Sequence, residues 1–219
     1  MRAHATAPRP SASPPRGRGH AAALAALACG LASGCGATQV VDRADDGRAI
    51  LIRTPQPDED DLEALARAHG VRTVLNLRGE REDEGWFERE RRGVERVGAA
   101  WVHLRVSGRS APSDETVARF LDLVEDPAAW PIVMHCQGGI HRTGLLAALY
   151  RMQYQGWSAE RAIAEMEDLW FDWTVTDREA LKRWLRAYRR DPARSIPRSG
   201  PAEAGRARRA DAAEPGAPP

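Results

Sequence analysis

The chain has 219 residues, of which 42% are hydrophobic and 29% are charged, and its formal net charge is +1. Residues 35–190 carry 23 basic and 27 acidic side chains, so the central part of the chain has no excess of positive charge for binding nucleic acid. About 150 residues remain between two ends of unusual composition, which is enough for one domain with a hydrophobic core.

Residues 1–34 have the pattern of a secretion signal. A basic stretch precedes an uncharged apolar run at 21–33, which is shorter than the roughly 20 residues that a membrane-spanning helix needs. Ala-Ser-Gly before Cys35 resembles a bacterial lipoprotein processing site, which implies lipid on the Cys35 thiol. We therefore expect export across the inner membrane, to the periplasm or to a lipid anchor. Cleavage after Ala37 without lipid, or a disordered leader, is the alternative.

The other end of the chain and the cysteine positions limit the domain further. Residues 191–219 are rich in Pro, Gly, Ala and Arg without apolar periodicity, which predicts a disordered tail. Cys29 lies in the leader and Cys35 at its end, so Cys136 is the only cysteine of the domain and no internal disulfide is expected.

Between these ends, segments with strand character alternate with segments of helical periodicity. Strands are predicted at 49–54, 71–77, 99–106 and 130–136, and helices at 58–70, 79–98, 114–126, 143–156, 158–169 and 176–190. Gly93 weakens the second of these helices by about 1 kcal/mol. The pattern predicts an α/β domain over residues 45–190, with a mainly parallel sheet of four to five strands flanked by helices. The continuously apolar strand 130–136 is expected at its centre.

The segment HCQGGIHRTG, residues 135–144, joins this central strand to the next helix. Open α/β sheets bind ligands at the carboxyl ends of their strands, so this turn lies where a site is expected. Its glycines let the backbone N–H groups turn inward, and the following helix adds its own N–H groups and the positive end of its dipole. Arg142 can bind two phosphate oxygens at once. The loop is therefore predicted to cradle a phosphate group.

The same surroundings favour the thiolate form of Cys136, the nucleophilic form of a cysteine, and place it to attack phosphorus. We expect His135 to turn its ring away from the ligand and to support the loop. Thr143 is expected to donate its hydroxyl to the Cys136 sulfur and so assist its departure. The remaining loop positions are the candidate substrate contacts, namely Gln137, Gly138, Gly139, Ile140 and His141.

The motif His-Cys-x-x-Gly-x-x-Arg-Thr-Gly resembles the signature of the cysteine-dependent protein tyrosine and dual-specificity phosphatases. With TVLNLRGE (73–80) and the helices around Cys136, residues 45–190 resemble the compact atypical dual-specificity branch, which includes enzymes acting on inositol pyrophosphates. The resemblance implies a dual-specificity phosphatase-like fold and a two-step mechanism through a phosphocysteine on Cys136. Arg142 would bind the phosphate and stabilise the transition state. No metal and no cofactor are expected.

The chain departs from this family at the general acid. Where many relatives carry an aspartate, this chain has Val106. Asp114 is the candidate acid instead, although a charge or N-cap at the start of helix 114–126 is an ordinary structural use of such a residue. Arg78, which follows strand 71–77, is expected to pair with Glu80 or Glu82 rather than to face the site.

The predicted function is hydrolysis of phosphate monoesters on a phosphorylated protein or a small molecule. The loop has no lysine, and Gln137 and Ile140 favour phosphotyrosine or a simple aryl phosphate over inositol phosphates or phosphoinositides, which stay as the alternative. A second alternative is a catalytically inactive module that binds phosphorylated ligands. Sulfur transfer on a rhodanese-like domain is disfavoured, because those loops are shorter and lack the Arg-Thr-Gly ending.

Overall fold

The computed structural model describes residues 38–168 and 178–199. Within these ranges strands and helices alternate, as the sequence predicts for an α/β domain. The strands are β1 (Gln39–Arg43), β2 (Ala49–Thr54), β3 (Thr73–Asn76), β4 (Ala100–His103) and β5 (Ile132–His135). The helices are α1 (Glu59–His69), α2 (Gly85–Val97), α3 (Asp114–Glu125), α4 (His141–Tyr154), α5 (Ala159–Asp168) and α6 (Arg178–Ala187). The predicted leader and residues 200–219 of the predicted tail lie outside the described residues.

The five strands form one sheet in the order β1-β2-β5-β3-β4. The central strand β5 pairs in parallel with β2 and β3, β4 is parallel to β3, and β1 is antiparallel at the edge. The predicted mainly parallel sheet is confirmed. Thr54 of β2 and Asn76 of β3 both lie in register with His135 of β5. The three strands therefore end side by side, and the segments that follow them meet at one edge of the sheet.

Helices cover both faces of this sheet. Ile132 and Met134 of β5 belong to a buried cluster with side chains of α3 and α4, whereas Val133 belongs to a cluster with side chains of α1 and α2. Helix α4 is buried along nearly its whole length. Its N-terminus is consequently fixed against the sheet, directly after the glycine loop.

The packing of α1 against α2 explains the glycine at position 93, which the sequence alone does not. A Cβ at this position of α2 would lie 2.8 Å from Leu62 Cδ1 and 3.2 Å from Glu59 Cα of α1. Glycine therefore lets the two helices approach closely. Gly93 also lowers the free energy of unfolding, because a glycine adds conformational freedom to the unfolded chain.

The folded region extends beyond the predicted boundaries. Strand β1 precedes the predicted start at residue 45. Residues 191–199 were predicted as part of a disordered tail, yet Arg194 pairs with Asp122 and Arg198 pairs with Asp42, each at 2.8 Å. Apolar periodicity could not reveal contacts made mainly by charged side chains. Among the described residues, no helix has the length and apolar character needed to cross a membrane.

Candidate active site

The site lies where β2, β3 and β5 end, and backbone donors from the neighbouring strand ends hold its loop. The N–H of Leu77 donates to the carbonyl of His135 at 3.0 Å, and the N–H of Gln56 donates to the carbonyl of Gln137 at 3.1 Å. Farther along the loop, the N–H of Gly144 donates to the carbonyl of Ile140 at 2.8 Å, as the first bond of α4. These loop carbonyl groups are thus directed toward the protein scaffold.

Most N–H groups of the loop, unlike its carbonyl groups, have no hydrogen-bond partner among the described residues. Those of residues 137–140 and of Arg142 donate to no acceptor among the residues that the structure describes. Unpartnered N–H groups at the start of a buried helix form an anion-binding site, because they combine donors with the positive end of the helix dipole. The arrangement can therefore bind a phosphate group, as the sequence predicts.

Gly139 makes this loop conformation sterically feasible. Its φ is +68°, and a Cβ there would lie 2.6 Å from the nitrogen of Pro55 and 2.8 Å from the carbonyl carbon of Thr54. Both the positive φ and the backbone contact exclude any side chain. Gly139 therefore packs against the segment after β2, and its backbone N–H, which donates to no acceptor among the described residues, is the group available to contact substrate.

Cys136 is 4% exposed and lies at the floor of the cleft. Its Sγ is 3.8 Å from Thr143 Oγ1, which places the two groups in hydrogen-bond contact as the sequence predicts. Gln137, Gly138, His141 and Arg142 also line the cleft. Ile140 touches it as well, but its side chain packs into the cluster formed by α4, α5 and α6.

His135 is completely buried and turns away from the cleft. Its Nε2 is 2.8 Å from Glu90 Oε1, and both side chains have no exposed surface. Glu90 also accepts hydrogen bonds from Trp101 Nε1 at 2.7 Å and from Gln56 Nε2 at 2.8 Å. Burial works to raise the pKa of Glu90, but these hydrogen bonds, led by that from His135, hold that pKa below its ordinary value. Glu90 thus anchors His135, and sequence reasoning did not identify it.

Arg78 lines the cleft, contrary to the expectation that it pairs with Glu80 or Glu82. Its Nη1 donates to Gln56 Oε1 at 2.9 Å and its Nη2 lies 3.3 Å from Glu84 Oε2. Its guanidinium also lies 3.6 Å from the centre of the Trp86 ring. Burial lowers the pKa of Arg78, and the positive charge of Arg142 adds to this shift while Glu84 opposes it. The two guanidinium groups therefore converge on one region.

The cleft has a volume of about 1090 Å³, and most of its charged lining residues are cationic. They are Arg78, Arg81, Arg105, Arg109 and Arg142, against the carboxylate of Glu84. Arg105 and Arg109 follow β4, Arg78 and Arg81 follow β3, and Arg142 lies in the first turn of α4. Because they come from separate segments, the cluster is not visible in the sequence.

Asp114, the candidate general acid, lies outside the cleft. It is the exposed first residue of α3 and is not part of the cleft lining. Ser113 is the N-cap, accepting a hydrogen bond from the N–H of Thr116 at 3.2 Å, and Asp114 supplies first-turn charge. No cluster of three or more side chains suited to hold a metal ion occurs among the described residues.

Comparison with known proteins places this site in a family context. Residues 36–183 match the family described as DSP-PTPase phosphatase fused to NAD+ kinase. The chain is 51% identical to the dual specificity protein phosphatase TpbA of Pseudomonas aeruginosa over 117 residues, 53% of this chain and 50% of TpbA. It is 44% identical to the human dual specificity protein phosphatase CDC14C over 98 residues, 44% of this chain and 20% of CDC14C. The chain thus matches half or less of the length of these relatives.

A solved structure has a similar fold. The core catalytic domain of the PP-IP phosphatase SIW14 from S. cerevisiae superposes with a TM-score of 0.58 at 19% sequence identity. The superposition covers 82% of this chain and 94% of that domain. At this identity the likeness concerns the fold, and it confirms the predicted α/β architecture with a loop between a central strand and a helix.

Replacing Gly139 by alanine is expected to damage the loop. The new Cβ would collide with the backbone at residues 54–55, so the free energy of unfolding should fall by about 1–3 kcal/mol, as for other overpacked sites. Binding of tungstate, a phosphate analogue, should weaken in parallel. Chemical denaturation and calorimetric titration measure the two effects.

Gly138→Ala is the matched control for stability. A Cβ at Gly138 would meet no atom within 4 Å. Its free energy of unfolding should therefore stay within about 0.5 kcal/mol of the wild-type value. Equal stability of the two variants would contradict the steric argument.

Proposed function

Because the chain belongs to the phosphatase family described as DSP-PTPase fused to NAD+ kinase, we propose that it hydrolyses phosphate monoesters through Cys136. The observation that carries the proposal is the environment of this thiol, which lies beside Arg142 and a row of unpartnered N–H groups at the floor of a cleft. The similarity to the dual specificity protein phosphatase TpbA supports it. Phosphotyrosine is the first substrate class that we propose.

In the first step the Cys136 thiolate attacks phosphorus, and the bond from phosphorus to the ester oxygen breaks. The phosphoryl group passes to sulfur, and the leaving oxygen takes up a proton from water. The loop N–H groups and Arg142 hold the non-bridging oxygens, where negative charge is concentrated in the transition state. These donors are in place before the reaction, so little reorganisation is needed.

In the second step water attacks the phosphorus of the phosphocysteine, the sulfur–phosphorus bond breaks and inorganic phosphate leaves. Thr143 Oγ1, 3.8 Å from the sulfur, is placed to donate a hydrogen bond to the departing thiolate. His135 acts indirectly, because its bond to Glu90 holds the start of the loop.

The choice of phosphotyrosine follows from the acids near the cleft. Glu84 is the only carboxylate that lines it among the described residues, and Arg78 and Arg81 pair with Glu84 at 3.3 and 2.6 Å. Both carboxylate oxygens of Glu84 are therefore engaged by guanidinium groups, and neither is free to contact a leaving group. Tyrosine, with a pKa of about 10, leaves more readily than a serine or threonine alkoxide when no strong acid assists.

Cys136→Ser tests the mechanism directly. Hydrolysis of p-nitrophenyl phosphate should fall by at least about a thousandfold, because the hydroxyl is not ionised at neutral pH. The variant should still bind tungstate, which separates loss of the nucleophile from loss of the loop. Asp114→Asn tests the general acid with serine and tyrosine phosphopeptides as substrates. Because Asp114 does not line the cleft, both hydrolysis rates should equal those of the wild-type chain.

Equal activity of Cys136→Ser and the wild-type chain would contradict the mechanism. A wild-type chain that binds tungstate and hydrolyses no ester would instead be a module that binds phosphorylated ligands. A selective loss of serine phosphatase activity in Asp114→Asn would assign Asp114 as the acid after all.

A second candidate function is hydrolysis of inositol phosphates or phosphoinositides, and the arginines of the cleft favour it. Arg105 and Arg109 are exposed, and their side chains make no ion pair or hydrogen bond with the described residues. Exposed cations without carboxylate partners on a cleft wall can bind further phosphate groups of one substrate. The absence of lysine from the loop therefore no longer argues against inositol phosphates, because arginines from other segments supply the positive charge.

The double variant Arg105→Ala/Arg109→Ala tests this candidate. Its kcat/KM for inositol hexakisphosphate should fall about three- to tenfold, because the binding free energy of two exposed ion pairs is lost. Its kcat/KM for p-nitrophenyl phosphate should stay unchanged. Arg119→Ala is the control, since Arg119 is exposed on α3 and does not line the cleft. Equal loss on both substrates, or no loss, would contradict a second anion site.

We further propose that the chain is exported and anchored by lipid on Cys35. The support is the pattern of residues 1–35, with a basic start, an apolar run and small residues before the cysteine. Labelling with a tagged fatty acid should mark the wild-type chain in a bacterial membrane fraction. Cys35→Ala should lose the label and appear in the soluble periplasmic fraction, and a labelled Cys35→Ala chain would overturn the proposal.

A further inference from the structure

A charged side chain lies buried behind the phosphate loop. Arg53 of β2 is 3% exposed and makes no ion pair with a carboxylate among the described residues. Its Nη2 donates to the carbonyl of Gly139 at 2.7 Å and lies 3.4 Å from the carbonyl of Ile140. Burial of a charge is unfavourable unless hydrogen bonds compensate it, and here the compensating acceptors belong to the loop.

Taking the loop as the phosphate site of the proposed phosphatase, we propose that Arg53 is the positioning residue that directs the loop N–H groups into the cleft. In a planar trans peptide the carbonyl of one residue and the N–H of the next point in opposite directions. Holding the Gly139 carbonyl toward β2 therefore turns the N–H of Ile140 toward the cleft.

The charge of Arg53 also acts on the site. Burial lowers the pKa of Arg53, whereas the negative charges of Glu165 and Cys136 oppose this shift. Arginine nevertheless stays protonated, since its ordinary pKa exceeds about 12. Arg53 is thus a permanent cation behind the loop, and Glu165 and a thiolate at Cys136 are the groups whose charge favours it.

Arg151 is a second buried arginine, and its contacts have a purely structural role. It lies in α4, is 8% exposed and pairs with Glu165 of α5 at 2.6 Å. Its guanidinium also lies 4.4 Å from the centre of the Trp157 ring. Its hydrogen bonds and ion pair go to α5 and to the end of α4, and not to residues 136–140. Arg151 therefore matches Arg53 in charge and burial and differs in its partners.

The test compares Arg53→Met, Arg53→Lys and Arg151→Met in the full chain, with inorganic phosphate as the probe in calorimetric titration. Loss of a charge-assisted hydrogen bond should weaken phosphate binding by Arg53→Met about ten- to a hundredfold. Lysine keeps the charge but lacks the planar fork, so Arg53→Lys should recover part of the affinity. Arg151→Met should lower the thermal midpoint yet bind phosphate within about twofold of the wild-type affinity.

Wild-type affinity in folded Arg53→Met, or an equal loss in Arg151→Met, would overturn the inference. If Arg53→Met does not fold, Arg53→Lys decides, and an unchanged affinity in that variant also overturns it. Phosphate binding is measured without turnover. A wild-type chain that binds phosphate through Arg53 and hydrolyses no ester would refute the phosphatase proposal and leave the inference about Arg53 intact.

Discussion

The orientation of the peptide groups between Cys136 and Arg142 is the constraint on which the site depends. A loop can offer its N–H groups to phosphate only if its carbonyl groups find donors elsewhere, because the two point in opposite directions along a planar peptide. The donors come from the backbone of Gln56 and Leu77 and from the Arg53 side chain. The parallel register of β2, β3 and β5 brings them to one place.

A second set of buried polar groups connects the loop with the wall of the cleft. Glu90 accepts from His135 and Gln56, and Gln56 in turn accepts from Arg78, which lines the cleft. Burial of a carboxylate costs much more free energy when one of its hydrogen-bond donors is lost. Each residue of this network therefore stabilises the positions of the others. The support of the thiol and the placement of a cleft arginine therefore depend on one hydrogen-bonded network.

Sequence reasoning was most successful where the signal is local. The loop from His135 to Thr143, the contact of Thr143 with sulfur and the order of strands and helices follow from spacing and periodicity. It failed where side chains from distant segments meet, as for Arg53, Glu90 and the cleft arginines. A net charge of −4 over residues 35–190 conceals a local excess of positive charge, because composition carries no information about which residues share a surface.

The sequence by itself determined which residue types form the site, since a cysteine, glycines and an arginine at this spacing between a strand and a helix are the pattern that predicts a phosphate cradle. Only the tertiary structure decided what surrounds the cradle. It placed Asp114 on an exposed helix start and Arg105 and Arg109 on the cleft wall, and it buried Arg53 behind Gly139. The physical reason is that strand register and helix packing, which bring residues separated by 86 positions into contact, are properties of the whole fold.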